Sequence, residues 1–201
     1  SEFNEAVEDV LRDVMVKHGR VIFNGDGYSD EWQDEAARRG LPNLKATPEA
    51  LSVYETKEAQ ELFDRLDVLT PRELHSRYEA YMGQYVMSIS VEARSTLEMA
   101  RTLIYPSVKR FQANLAGTEN ELVALGLGGD TETLTRVTEL VTELTCAVAP
   151  LAQAIDGLPD AAPIGEQGTY CRETILPAMN AVRAATDLLE EIVDDELWPL
   201  L

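Results

Sequence analysis

Between Leu134 and Leu158, eight apolar residues (Leu134, Val137, Val141, Leu144, Val148, Leu151, Ile155 and Leu158) recur at alternating steps of three and four. That spacing puts them on one stripe of an α-helix, the seam of a helix packed lengthwise against others. Two more stretches carry the same period. One opens at "LTPREL", with Thr70 at an N-cap, Pro71 at the first helical position and Glu73 at capping-box spacing, and runs to about Ala116. At 1.5 Å per residue it would span roughly 70 Å. The other runs from about Gly165 to Glu196, with Ile175, Met179, Val182, Leu189 and Ile192 facing inward. Pro106, Pro150 and Pro177 fall one inside each pattern. Each should kink its helix, because proline removes a backbone donor and crowds the preceding turn. The fold class is therefore all-α: three long, proline-kinked antiparallel helices forming a bundle, preceded by shorter helices and a turn-rich connector. The expected division is 1–68 for the N-terminal helices and connector and 69–201 for the long-helix bundle.

Ahead of the bundle, Phe3, Val7, Val10, Leu11, Val14 and Met15 predict a first helix stopped at Gly19, and "RVIF" reads as a short extended run. Short helices follow over 30–39 and 56–66, with a capped turn at Thr47-Pro48-Glu49 inside "RGLPNLKATPEAL". "AGTENELVALGLGGD" and "DGLPDAAPIGEQG" read as the loops between the long helices.

"VIFNGDGYSDEW" has the look of a ligand loop. A calcium loop with Gly27 sixth would put Ile22 first and Gln33 twelfth, where oxygen ligands and a bidentate carboxylate are required. A phosphate cradle needs a following lysine or a longer glycine series. The residues instead suit a turn: "NGDG" tolerates positive φ, Ser29 can cap a helix, and Asp30 and Glu31 favour its first turn. Trp32 and Tyr28 are then expected to be apolar anchors, with Trp32 largely buried.

Thirty-six acids against 17 bases give a formal charge of −19, with residues 118–201 holding −13 of it. Such a chain repels phosphate backbones, so no nucleic-acid partner is expected. No apolar run approaches the roughly 20 residues of a membrane span and no signal sequence precedes the first helix, so the expectation is a soluble, cytoplasmic protein without a membrane partner. Cys146 and Cys171 lack metal-ligand spacing and read as free thiols. The chain opens on Ser1-Glu2-Phe3 directly inside a helical pattern without an initiator Met, which reads as a piece of a longer protein.

No catalytic order stands out. His18 and His75 have no ligand partner at helical spacing, and the paired acids near the C-terminus read as a solvated face. No catalytic, metal or cofactor-binding residue is assigned. Tyr78, Tyr81 and Tyr85 share one helical stripe and, with Tyr28, Trp32, Leu134, Val141, Val148 and Ile155, are the candidate packing or interface residues.

"HGRVIFNGDGYSDEWQDEAARRGLPNLKATPEAL" at 18–51, "LTPRELHSRYEAYMGQYVMSISVEARSTLEMARTLIYPSVKRFQ" at 69–112 and "VDDELWPL" at 193–200 resemble the C-terminal region of type III glutamine synthetases, the large bacterial form. The resemblance implies a parent that joins ammonia to glutamate using ATP and divalent metal, Mg or Mn, on catalytic elements that lie upstream of the matched region. It carries no catalytic residue onto this chain, and no cofactor is expected here. It implies residues 1–68 at the junction with a catalytic body, and as partners the chain's own catalytic domain and the other subunits of a homo-oligomer. The expected role is a non-catalytic helical domain for assembly or positioning. The alternatives are an acidic regulatory docking module for a protein regulator, and a piece that lends a residue to the parent's active site.

Overall fold

The computed structural model describes residues 1–129 and 131–200. The chain divides into two compact units, Ser1–Lys45 and Ala46–Leu201. No strand occurs among the described residues.

In the first unit, α1 spans Glu2–His18, with acids Glu2 and Glu5 in its first turn and Lys17 and His18 in its last, the arrangement that suits the helix dipole. Gly19 does not stop it through a positive φ. The backbone stays right-handed at φ −57° and tightens into a 3-10 turn over Gly19–Val21. "RVIF" is thus a turn in which only Ile22 begins an extended path, at φ −93° and ψ 124°. Ser29 caps α2 (Asp30–Arg38) by accepting the Trp32 N–H at 3.4 Å. Gly40 closes that helix at φ +69°, with Gly40 N–H on Ala37 O and Leu41 N–H on Ala36 O, the Schellman pattern.

The second unit begins with α3 (Thr47–Leu51), a 3-10 turn (Ser52–Glu55) and α4 (Lys57–Arg65). Ala46, not Thr47, is the N-cap of α3, and Pro48 is buried within its first turn. These elements lie against α5 (Pro71–Met99), so they belong with the bundle. The Thr70 capping box forms as expected: Thr70 Oγ1 accepts Glu73 N–H at 3.3 Å, and Glu73 Oε2 accepts Thr70 N–H at 2.9 Å.

The prolines are handled differently from a simple kink. α5 runs without a break through a π-helical turn at Ala100–Ile104 into α6 (Tyr105–Ala124), and α8 (Ile164–Tyr170) runs through a second π turn at Cys171–Ile175 into α9 (Leu176–Glu190). In each, the residue before the proline donates five back, Tyr105 N–H to Ala100 O and Leu176 N–H to Cys171 O. The wider turn gives the ring of Pro106 or Pro177 room that an i−4 ladder would deny it. Pro150 sits instead inside the regular α7 (Thr131–Asp156). It and Cys146 are both exposed, so the carbonyl that loses its donor is open to water. The helix of α6 also takes up half of the expected loop: "AGTENELVA" is helical to Ala124, and only 125–129 turns away, through a second glycine Schellman cap at Gly126 (φ +76°).

α7 pairs most extensively with α9; α6 lies on α7 and α5 on α8. Val108, Val137, Leu140, Leu144, Leu151, Ile175, Val182 and Leu189 are at most 1% exposed. Each such side chain contributes about 1.5–3 kcal/mol relative to an exposed one. Four threonines of α7, at 135, 138, 142 and 145, donate back to the carbonyl four residues earlier, so their hydroxyls add no polar demand to the helix surface. The C-terminal segment folds over the end of the bundle, with Val193 buried and Trp198 packed on the core. The Trp198 indole Nε1 is buried with no hydrogen-bond partner among the described residues.

α8 approaches α5 through glycines. A Cβ on Gly165 would lie 2.4 Å from the Tyr78 hydroxyl, and one on Gly168 2.4 Å from Met82 Sδ. Met82 is 1% exposed and has nowhere to retreat. Gly83, one residue on, has nothing within 4 Å of its Cβ position. The same substitution is therefore expected to have opposite signs: Gly168→Ala lowers the unfolding free energy by about 1–3 kcal/mol through overpacking, while Gly83→Ala raises it by about 0.5–1 kcal/mol. A third Schellman cap, ending α4, has Asp67 at φ +53° in the glycine position, with Val68 N–H on Phe63 O. Asp67→Gly is expected to add about 0.5 kcal/mol by relieving the left-handed backbone. Urea unfolding with an unchanged slope measures all three.

Candidate interaction surfaces

In the first unit the organising group is the Arg39 guanidinium. Its Nη1 donates to Arg20 O at 3.1 Å and Ile22 O at 2.7 Å, its Nε donates to Glu35 Oε1 at 2.5 Å, and its Cζ lies over the Trp32 ring, 5.7 Å from the ring centre. One side chain thus ties the turn after α1 to α2. Trp32 also stacks on Phe23 at 4.7 Å. Glu35 takes two further bonds from Arg38, at 2.7 and 2.5 Å, and these, with Arg39, hold its carboxyl down to about 2. The one acid of "NGDG" is spent on the turn itself: Asp26 Oδ1 accepts Tyr28 N–H at 2.9 Å, and its backbone O accepts from Ser29 Oγ at 2.7 Å.

This clamp leaves α1 bare. The helix has no buried residue, and Phe3, Val7, Val10, Leu11 and Val14 are 40–75% exposed along one stripe. Among the described residues of the first unit only Ala36 is buried.

In the second unit, α7 and α9 leave a shallow apolar groove of about 440 Å³ floored by Cys146, Ala147, Pro150, Ala178, Ala181 and Leu188. A smaller notch of about 160 Å³ lies where the first π turn meets α7, between Ala100, Tyr105, Leu144 and Val148. No three His, Cys, Asp or Glu side chains among the described residues are grouped to hold a metal ion, and no described helix is long and apolar enough to cross a membrane.

The candidate residues fall in different places. Val141, Val148 and Ile155 lie on the α7 face turned to the core, Val141 buried and the other two half-buried, and Leu134 at the start of α7 is half-buried. Tyr78 and Tyr85 are half-buried, and loss of water raises both phenols above their ordinary range. Tyr81 is 43% exposed and lies 6.4 Å from Tyr54. Trp32 is half-buried rather than largely buried. Tyr28 anchors nothing in its unit: it is 97% exposed, because the Asp26 turn points it outward.

Sequence reasoning passed over two clusters. Glu55 and His75 meet across 20 residues at 3.0 Å, and Glu49 of α3 pairs with Arg172 of the second π turn. Neither has a local signal, since the partners lie far apart in the chain. The π turns did have one. Ala100-Arg101-x-x-Ile104-x-Pro106 and Cys171-Arg172-x-x-Ile175-x-Pro177 share a pattern of small residue, Arg, Ile and Pro.

The Glu35 clamp sets an acid limit for the first unit. A depressed carboxyl contributes stability that is complete above its unfolded value of 4.5 and is lost as pH falls towards about 2. In a Trp198→Phe background, Trp32 emission is expected to shift to the red over that interval. Glu35→Gln is expected to remove the acid transition and to give the red-shifted emission already at neutral pH.

The family model for the glutamine synthetase C-terminal domain matches residues 6–122, more than half of the chain. The type-3 glutamine synthetase of Dictyostelium discoideum is 34% identical over 203 residues, and glutamine synthetases of Butyrivibrio fibrisolvens and Bacteroides fragilis are 31% and 28% identical over 206 and 205. Each alignment takes in 97–98% of this chain, which spans only 28% of the length of each relative. On the family match and the all-helical fold together, the chain belongs to the glutamine synthetase C-terminal domain family.

Proposed function

We propose that this chain is a non-catalytic helical domain of a glutamine synthetase, and that it contributes to the assembly or positioning of the catalytic body. The reaction of the whole protein would be ATP-dependent ligation of ammonia to glutamate, with ATP and Mg or Mn held outside this chain. The observation that carries the reading is the bare stripe of α1. A 17-residue helix is marginal in water without tertiary cover, and this one buries no side chain within its own unit. Covering Phe3, Val7, Val10, Leu11 and Val14 would supply on the order of 1 kcal/mol or more per side chain, enough to dock the unit on a partner surface. The relatives are glutamine synthetases of which this chain matches only 28% of the length, which supports a synthetase as the partner.

The test is binding of this chain to a synthetase truncated to remove the corresponding region, followed by sedimentation. Val10→Asp is expected to weaken the complex at least about tenfold, since it puts a charge into the covered stripe. Val16→Asp, the same change on the other side of α1 where Val16 is 82% exposed, is expected to leave binding unchanged. Equal effects of the two, or of neither, would overturn the role given to α1. A complex that dissolves in salt and ignores Val10→Asp would favour the acidic docking module instead.

A further inference from the structure

The geometry points to a pH-dependent latch at the entry to the bundle, in which His75 of α5 holds the α3–3-10 segment through Glu55. The ring Nδ1 lies 3.0 Å from both oxygens of Glu55, its Nε2 lies 3.6 Å from Glu79 Oε1, and its face lies over Tyr78 with ring centres 6.3 Å apart. Both ring nitrogens are thus turned to carboxylates. That arrangement is met in full only by the imidazolium, which donates from both nitrogens, whereas the neutral ring donates from one.

Beyond its packing on α5 and α8, the segment has few polar ties to the bundle. Residues 47–55 consist of one short helix and a 3-10 turn. Pro48 is their one buried residue, and Tyr54 lies against Tyr81. Their other ion pair is that of Glu49 with Arg172, whose charges do not change near neutral pH. Lys57 and Glu61 of α4 pair with each other at 3.2 Å, and the field at the ring comes from Glu55 first and Glu79 second. Both carboxylates raise the ring's titration above 6.5. A raised histidine contributes stability that is complete below its unfolded value and is lost as pH rises through the folded one. The latch is therefore tightest below 6.5 and loosens as pH rises through the raised titration of the ring. Because the pair is about half exposed, the change is a local opening of 47–56 and not unfolding of the bundle.

Hydrogen exchange of the 201-residue chain, followed by mass spectrometry between pH about 6 and about 8.5 and corrected for the intrinsic rate, reads the latch directly. Protection over 49–57 is expected to fall several-fold across that interval while protection over 140–151 in α7 stays constant. In Glu55→Gln the step disappears, with low protection throughout, and the His75 ring titrates closer to 6.5 by NMR. Loss of the step in the intact chain, or its survival in Glu55→Gln, overturns the proposal. His75→Gln provides a second check: it should match Glu55→Gln, and a pH step that persists without the imidazole assigns the effect elsewhere.

Discussion

A proline cannot donate a hydrogen bond, and its ring crowds the carbonyl one turn earlier; two of the long helices of this bundle run on because such a residue is given room in each. At Pro106 and Pro177 the chain widens for one turn, and the i→i+5 bonds from Tyr105 and Leu176 keep the ladder continuous. The consequence extends beyond the local turn. An i→i+5 turn holds about one residue more than an α-turn, so everything downstream is rotated by about 100° relative to an unbroken helix. α6 therefore meets α7 with a face that a regular continuation of α5 would carry elsewhere, and α5 remains free to address α8. Ala100 and Cys171, the acceptors of the two wide turns, are both fully buried, so each turn sits in the core.

Much of this was legible in the sequence. The seam from Leu134 to Leu158 lies where the period put it, and the Thr70 capping box marks the start of α5. These signals are local: a stripe or a cap is written in residues a few positions apart. What local pattern could not settle was the response to proline. A kink and a π turn both accommodate the missing donor, and the choice depends on whether neighbouring helices leave space for a wider coil. The repeated small-Arg-x-x-Ile-x-Pro pattern is the trace of that choice. "RVIF" misled for a related reason, because β-branched residues in a run suggest extension while the tie from Arg39 to the Arg20 and Ile22 carbonyls selects a turn.

The candidate surface was legible in part. Phe3, Val7, Val10, Leu11 and Val14 are evident as one helical stripe, but periodicity does not say whether a stripe is covered. Its exposure emerges only when the unit is seen to contain no element lying over it. Tyr28 shows the converse. Its aromatic ring suggested an anchor, yet the backbone turn fixed by Asp26 decides its direction. The His75–Glu55 contact was beyond reach for a third reason, since it depends on how the 3-10 turn at Ser52–Glu55 lies on α5.

The poverty of burial in residues 1–45 also sets how the free chain would meet a cell's machinery. With one buried side chain, the segment has little free energy opposing local opening, and cleavage of an opened segment follows its open population. The bundle, with its fully buried core, opens far less often. To a protease the free chain is thus two objects of unequal lifetime, residues 1–45 and the bundle.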